Sequence, residues 1–457
     1  MSTTTSTTAR SSPASFTIDD SLQGHSGEDQ GEIEIASLPP VDGGKAAWMF
    51  VLAAWVLETF VWGAGYSSGT ILLYFQSHEP WKSQSSALLT AASTTQLGIQ
   101  FILPTIVVIL FRRYPEWVKT SLWASVAIAC GGMLISSWAT EAWHLIVLQG
   151  VFVGMANAVL FAPIFAFIGE WWVTKRGMAL GIVLSGLGFG GFVFPFLIDA
   201  LLSRGGYAWY CRGWALITAV AFGLTIPLVN PRIPLVKPKN GERGPWVAVD
   251  WKFLYDPIFV LMAFASLFSS LSYLPVALYL PQYAASLTDS TTQQTLVLAV
   301  FNLVAAFGSA ASGPLSDFSY PLTTIVCGIC GALISLAAWG MADSLGKLYA
   351  FAIFFSFFSQ MVSAWSGASK DVSHANPYNA SMAFCLFAVV RGIGSIVMPT
   401  VSETLYDPSK AGQTSTWGAF GFHKMIIFVG ITAFLCAVSG ALLHFARGKR
   451  LRATPAR

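Results

Sequence analysis

Apolar residues in this chain gather in long runs with no sustained polar face. Twelve runs approach or exceed the roughly 20 residues that cross a bilayer as a helix. They cover 46–75, 84–111, 118–139, 143–168, 176–203, 212–229, 257–282, 294–314, 321–342, 345–366, 378–403 and 423–445. The longest polar joint, 230–256, contains NPRIPLVKPKNGERG and follows the sixth run. The pattern predicts an all-α membrane protein of twelve transmembrane helices in two six-helix bundles, one over 46–229 and one over 257–445, joined by a central loop at 230–256. The first, fifth and seventh runs exceed a straight crossing, which predicts tilt.

Composition agrees with a lipid-embedded chain. Hydrophobic residues make up 54% and charged residues 10% of the 457, with mean hydropathy +0.62. A soluble domain carries about 25% charged residues, so soluble enzymes and nucleic-acid binders are excluded. Net charge is only +3, too little to imply a polyanionic partner. Residues 1–40 open with MSTTTSTTARSSPAS, turn acidic (Asp19, Asp20, Glu28, Asp29, Glu32, Glu34) and lack an apolar core. They read as a disordered tail without a signal peptide, leaving insertion to the first helix.

Of the 25 Lys and Arg residues, 18 fall on the side of the termini, including Arg112, Arg113, Lys175, Arg176 and the basic tail 446–457. The other side carries six: Lys82, Arg204, Arg212, Lys347, Lys410 and Lys424. The bias predicts a multi-pass protein of the cell membrane with both termini in the cytoplasm. The sequon at Asn379 then lies on the cytoplasmic side, out of reach of glycosylation. Cys327 and Cys330 form a C-x-x-C inside an apolar run with no second pair and no nearby His, which fits packing better than redox or metal chemistry. The six His are scattered over loops and helix ends, so neither an enzyme nor a metal or other cofactor is expected.

Several short motifs add a resemblance. The joint after the eighth run reads Gly313-Pro-Leu315-Ser-Asp317, which resembles the G-x-L-x-D signature of the major facilitator superfamily. The corresponding first-half joint, FRRYPEW, keeps only the Arg pair. Physically, the Gly permits close helix approach and the Asp can cap the start of the next helix. The lead-in Asp42-Gly43-Gly44-Lys-Ala-Ala-Trp48, the stretch WVLETFVWGAGYSSGTILLYF and the segment Trp171-Trp172-Val-Thr-Lys175-Arg176-Gly-Met-Ala179-Leu-Gly181 resemble the monocarboxylate porter family, in its fungal branch. The resemblance implies alternating access, with Asp42, Gly43, Gly44, Lys175, Arg176, Gly313 and Asp317 at conformational positions. It also departs from the family. The Lys of helix 1 and the Asp/Arg pair of helix 8 are missing; Ser67 and Ser68, and Asn302, Ala305 and Ser309, stand in those regions. A proton-coupled lactate-like mechanism therefore does not carry over.

Polar residues at membrane depth need a reason, since a charge there costs about 2.5–3.5 kcal/mol on insertion scales. Glu58 falls mid-run in the first helix, where it can take up a proton or a cationic group. Arg391 lies mid-run in the eleventh, where it can hold an anion or gate the path. Asn157, Tyr273, Asn302 and Gln360 are uncharged candidates for the substrate site, with Trp62 and Tyr66 as aromatic ones. Helix-to-helix hydrogen bonds and packing are the competing role for each. Gly186, Gly188, Gly190 and Gly191 lack the preceding strand of a dinucleotide loop and fit close helix packing.

The expected function is secondary transport of a small organic solute by alternating access, monocarboxylate porter-like, with protons as a candidate coupling ion and the lipid bilayer as solvent. Export of a fungal secondary metabolite is the competing substrate reading. A non-transporting sensor on a transporter fold is the competing class.

Overall fold

The computed structural model describes residues 38–84, 86–235, 243, 249–373, 376–410, 412–413 and 415–453. The first 37 residues, residues 236–242 and 244–248 of the central loop and the last four residues lie outside these. Among the described residues the regular structure is helical throughout: α1 (Lys45–Tyr66), α2 (Ser68–Ser77), α3 (Ser86–Arg113), α4 (Val118–Ser136), α5 (Ala142–Leu145), α6 (Gly154–Trp171), α7 (Arg176–Thr225), α8 (Pro257–Ala285), α9 (Thr291–Leu333), α10 (Leu345–Phe358), α11 (Ala364–Val372), α12 (Pro377–Leu405) and α13 (His423–Ala453).

Nine of the described helical stretches are long and apolar enough to span a membrane. Two of them, Arg176–Leu228 and Thr291–Trp339, run 53 and 49 residues, about twice a single crossing. Each reverses at a non-helical point. α7 turns at Gly205 and Gly206, the latter at φ +68°, a left-handed conformation that glycine adopts without a Cβ penalty. α9 turns at Ser319, φ −160° and ψ 101°. Counting these as two crossings each, and α10 with α11 as one, gives twelve.

The sequence pattern differs from the structure at four places. The first run breaks at Ser67 into α1 and α2. The fourth run is not one α-helix, because Ile146–Val153 between α5 and α6 is π-helical. The tenth breaks after Phe358 and resumes at Ala364. A second π-helical stretch, Ile334–Trp339, ends α9. Helix starts follow the sequence closely: Asp256-Pro257 and Asn376-Pro377 each place a capping side chain before an N1 proline, accepting from Ile258 N–H at 2.9 Å and Tyr378 N–H at 2.9 Å. The sequon residue Asn379 is buried and accepts from Asp250 N–H.

The hydrophobic cores divide along the long axis. One core takes residues from both halves, among them Leu57, Phe111, Ile168, Phe259, Trp365 and Phe384, at the end where α1 begins and α13 finishes. At the opposite end each half keeps its own core, around Trp81, Phe194 and Trp214 in the first and Tyr283, Trp339 and Phe422 in the second. The halves are thus joined at one end and packed separately at the other.

Candidate functional site

The joined end is built around the first turn of α7. Four unpaired N–H groups and the helix dipole make any helix start a place for anions; here one carboxylate takes the helix start and a second holds the loop just before it. Asp42 sits at φ +58°, a conformation Asp tolerates better than most residues. Its carboxylate accepts from the N–H groups of Val173, Thr174 and Lys175 at 2.8, 3.0 and 3.0 Å, and from the Thr174 hydroxyl. Burial opposes its charge, but these hydrogen bonds outweigh it and hold the carboxyl at about 2.

Asp317 comes from the other half. It accepts from Gly177 N–H at 2.6 Å and Met178 N–H at 2.8 Å. This corrects the expectation that Asp317 caps the helix that follows it. The Ser319 side chain takes that place, accepting from Leu322 N–H at 3.4 Å. Nearby, Lys370 Nζ donates to Val173 O at 3.4 Å, and the Phe165 and Phe384 rings meet across the halves at 4.9 Å. Lys175 is exposed, while the Arg176 guanidinium lies over Gly169.

From this turn α7 runs along α9 in a seam with no room for side chains. A Cβ on Gly181 would stand 2.5 Å from Ser309 O, and one on Gly188 2.5 Å from Asn302 O. Gly186 and Gly190 face the other way, onto the α1 backbone at Trp55 and Thr59. The glycine run therefore serves two neighbours, α1 within its own half and α9 in the other. Trp55 Nε1 reinforces the first contact, donating to Ser185 Oγ at 3.0 Å.

The substrate-site residues expected from sequence do not form one cluster. Glu58 is buried in α1 and is the only Asp, Glu, Lys or Arg so buried among the described residues; its Oε2 has no hydrogen-bond partner there. Trp62, one turn on, packs against Phe101 and Phe161. Asn157 lines a small cavity of about 50 Å³ inside the first half, with Ser93, Gln96, Gln149, Tyr210 and Thr218. Asn302 donates to Gly191 O at 3.2 Å across the seam. Gln360 marks the break after α10, accepting from Ser309 Oγ at 3.3 Å and donating to Ser356 O at 3.0 Å. Tyr273 packs against Phe301 with the rings tilted, and the half-buried Arg391 guanidinium lies 6.0 Å from the Tyr273 ring, inside the second half. The side chains of Tyr66 and Ser68 lie outside the described residues.

Sequence reading missed three features. Gln100 donates to Val61 O at 2.9 Å, tying α3 to α1. Gln149 projects from the first π-helical stretch and donates to Tyr207 OH at 2.6 Å. Ser312 and Ser316 bind Ser363 at 3.0 and 2.9 Å, holding α9 to the α10–α11 break. The signal was present: Gln96 and Gln100, and Ser309, Ser312 and Ser316, repeat at helical spacing within apolar runs. An open apolar groove of about 550 Å³ also lies where α3 of the first half meets α12 of the second, between Ile99, Ile102, Met155 and Ile396. The cysteines are free, and Cys327 donates to Gln360 O at 3.5 Å.

Among known proteins, the chain is 26% identical over 409 residues to the fujikurins efflux protein of Gibberella fujikuroi, covering 88% of this chain and 83% of that one. It is 26% identical over 362 residues to the MFS transporter asaE of Aspergillus flavus, covering 78% and 79%. It is 23% identical over 376 residues to the aspyridones efflux protein apdF of Emericella nidulans, covering 81% and 74%. The crystal structure of the human organic anion transporter MFSD10 shares its fold, with a TM-score of 0.62 at 12% identity over 88% of this chain and all of that one. The Major Facilitator Superfamily profile matches residues 54–399, and the chain, a multi-pass membrane transporter, belongs to that superfamily.

Proposed function

We propose that the chain exports a small, largely apolar organic metabolite, exposing a site between its halves to each side of the membrane in turn, with Glu58 as the group that exchanges a proton. The observation that carries the substrate class is the groove of about 550 Å³ between α3 and α12. Its size suits a drug-sized solute, and its walls are aliphatic apart from Thr94 and Thr95. Glu58 supports the same reading. It makes no ion pair among the described residues, and burying an unpartnered charge is costly. Carrying its proton, it leaves the closed structure neutral. Releasing the proton when the path wets leaves an anion that would repel a carboxylate and hold a neutral donor or a cation. Two relatives named as efflux proteins point the same way.

Uptake of a monocarboxylate is the second reading. It is supported by the Asp42-Gly43-Gly44 lead-in and by Arg391, a half-buried cation in α12. Under the cytoplasmic orientation of the termini, the joined end faces the cytoplasm and the separately packed end faces outward. Metabolite profiling of cells lacking the protein separates the readings. Export predicts that a compound leaves the medium and accumulates in the cytosol. The reverse redistribution means uptake, and no redistribution together with no flux in vesicles means a sensor.

A further inference from the structure

The C-terminal end of α13 separates its cations by face. α13 has 31 residues, about 46 Å at 1.5 Å per residue, longer than the hydrocarbon layer of about 30 Å. Its last turns therefore stand at headgroup level. Arg447 and Arg450 turn inward and are taken up by protein: Arg447 pairs with Asp371 and Arg450 with Asp256, each at 3.0 Å. Lys449 and Arg452 do not follow them. Ile431, Phe434, Val438, Leu442 and Phe445 form the outward stripe of α13, each 39% exposed or more, and steps of four and three residues carry that stripe on to Lys449 and Arg452. Both are exposed and neither makes an ion pair among the described residues.

The neighbouring surface has the same character. Asp256, which holds Arg450, opens α8, and just before it stand exposed Trp251, Lys252 and Tyr255. Tyr255 is 88% exposed, although it lies beside an apolar span. Trp and Tyr at such a position are interface anchors. Three carboxylates lie at this corner. Asp256 and Asp371 are engaged by arginines, and Asp250 accepts from Lys252 N–H at 3.1 Å. With Lys252, Lys449 and Arg452 beside the two paired arginines, five cations stand against three carboxylates, so the outward side is left positive.

We propose that Lys449, Arg452 and Lys252 form a binding site for the headgroup of an anionic phospholipid, in the leaflet that lies at the chain's C-terminal end. The guanidinium fork of Arg452 suits a phosphate, the ammonium groups add point charge, and the apolar stripe above them receives the acyl chains. The source is lipid, because the two outward cations on α13 continue a lipid-facing stripe.

The test uses the full chain in nanodiscs, with the association of spin-labelled phosphatidylserine measured against spin-labelled phosphatidylcholine. Wild type should prefer the anionic lipid. Charge near a membrane surface contributes about a fivefold factor per Lys or Arg, so the Lys449→Gln/Arg452→Gln double variant should lose most of the preference. Lys449→Arg/Arg452→Lys should retain it, which separates charge from folding. An unchanged preference in the neutral double variant overturns the proposal, and so does equal loss in the charge-keeping variant. Abolition of the wild-type preference by millimolar inorganic phosphate at constant ionic strength also overturns it, since the site would then be one for a soluble anion.

Discussion

Replacing Asp317 by Asn should open the joined end. The carboxylate of Asp317 reaches from the second half to two N–H groups of the first, at 2.6 and 2.8 Å. Hydrogen bonds to a charged group contribute about 1.5–3 kcal/mol each when desolvated, and Asp317 is exposed, so the pair is closer to 2 kcal/mol in total. Asn keeps one acceptor oxygen and loses the charge that favours a helix start. The expected loss is about 1–2 kcal/mol, a factor of roughly 5–30 in the ratio of closed to open. A closed-to-open ratio near 100:1 would fall to between roughly 20:1 and 3:1 on that arithmetic. Spin labels at exposed Trp117 and Phe318, one in each half, would report this as a second, longer distance population. Asp42→Asn is the control, because Asp42 holds the loop just before the same helix from its own half. An Asp317→Asn distribution identical to wild type, or an equal shift from Asp42→Asn, would refute the reasoning.

Asp42 also predicts a pH dependence. Its carboxyl is held at about 2 in the folded chain, below its free value of 3.8, so its contribution is present above pH 4 and is lost as pH falls from about 4 to 2. The difference in thermal unfolding between wild type and Asp42→Asn should be constant from about pH 7 to 5 and vanish near pH 2; a gap that widens on acidification contradicts this. Gly188→Ala places a Cβ 2.5 Å from Asn302 O, an overpacking cost of about 1–3 kcal/mol. It should part the labelled halves, whereas Gly186→Ala, 2.6 Å from Trp55 O, should lower the melting temperature and leave the distance unchanged. Glu58→Gln should abolish uphill flux driven by an imposed pH gradient in vesicles while substrate exchange persists. Uphill flux at the wild-type rate would remove Glu58 from the coupling step.

Apolar run length made the fold legible, because a bilayer asks for about 20 apolar residues whatever their order. The breaks were harder to see. The run through Ser67 does dip at Gly65-Tyr-Ser-Ser-Gly-Thr70, but small polar residues also suit close packing inside a spanning helix, and the π-helical stretches are as apolar as the α-helices beside them. The joined end was half legible: the motifs marked Asp42, Gly313 and Asp317, but hydropathy carries no information on which helix lies opposite. That is why Asp317 was assigned to the helix after it instead of the start of α7. The scatter of Glu58, Asn157, Asn302, Gln360 and Arg391 has the same origin. A polar residue in an apolar run announces a partner and conceals its direction. Gln360 finds Ser309, Asn302 finds a backbone carbonyl, and Asn157 faces a small cavity.

The two π-helical stretches have a consequence for the separately packed end. Ile146 packs in the separate core of the first half and Trp339 in that of the second, so each half carries a π segment at its free rim. A π turn holds a surplus residue relative to an α turn. Relaxing it to α would rotate the helix beyond by about 100° and move it by about 1.5 Å along its axis. In the second half the surplus is pinned, because Trp417 Nε1 donates to Leu336 O at 2.8 Å from the segment that precedes α13. In the first half, Gln149 makes the matching tie to Tyr207. Each rim thus holds a length of spare helix under a few hydrogen-bonded catches, with Ser335 Oγ on Ile426 O and Gln149 Nε2 on Cys211 Sγ beside those two, and releasing them would re-face the rim without unwinding a helix.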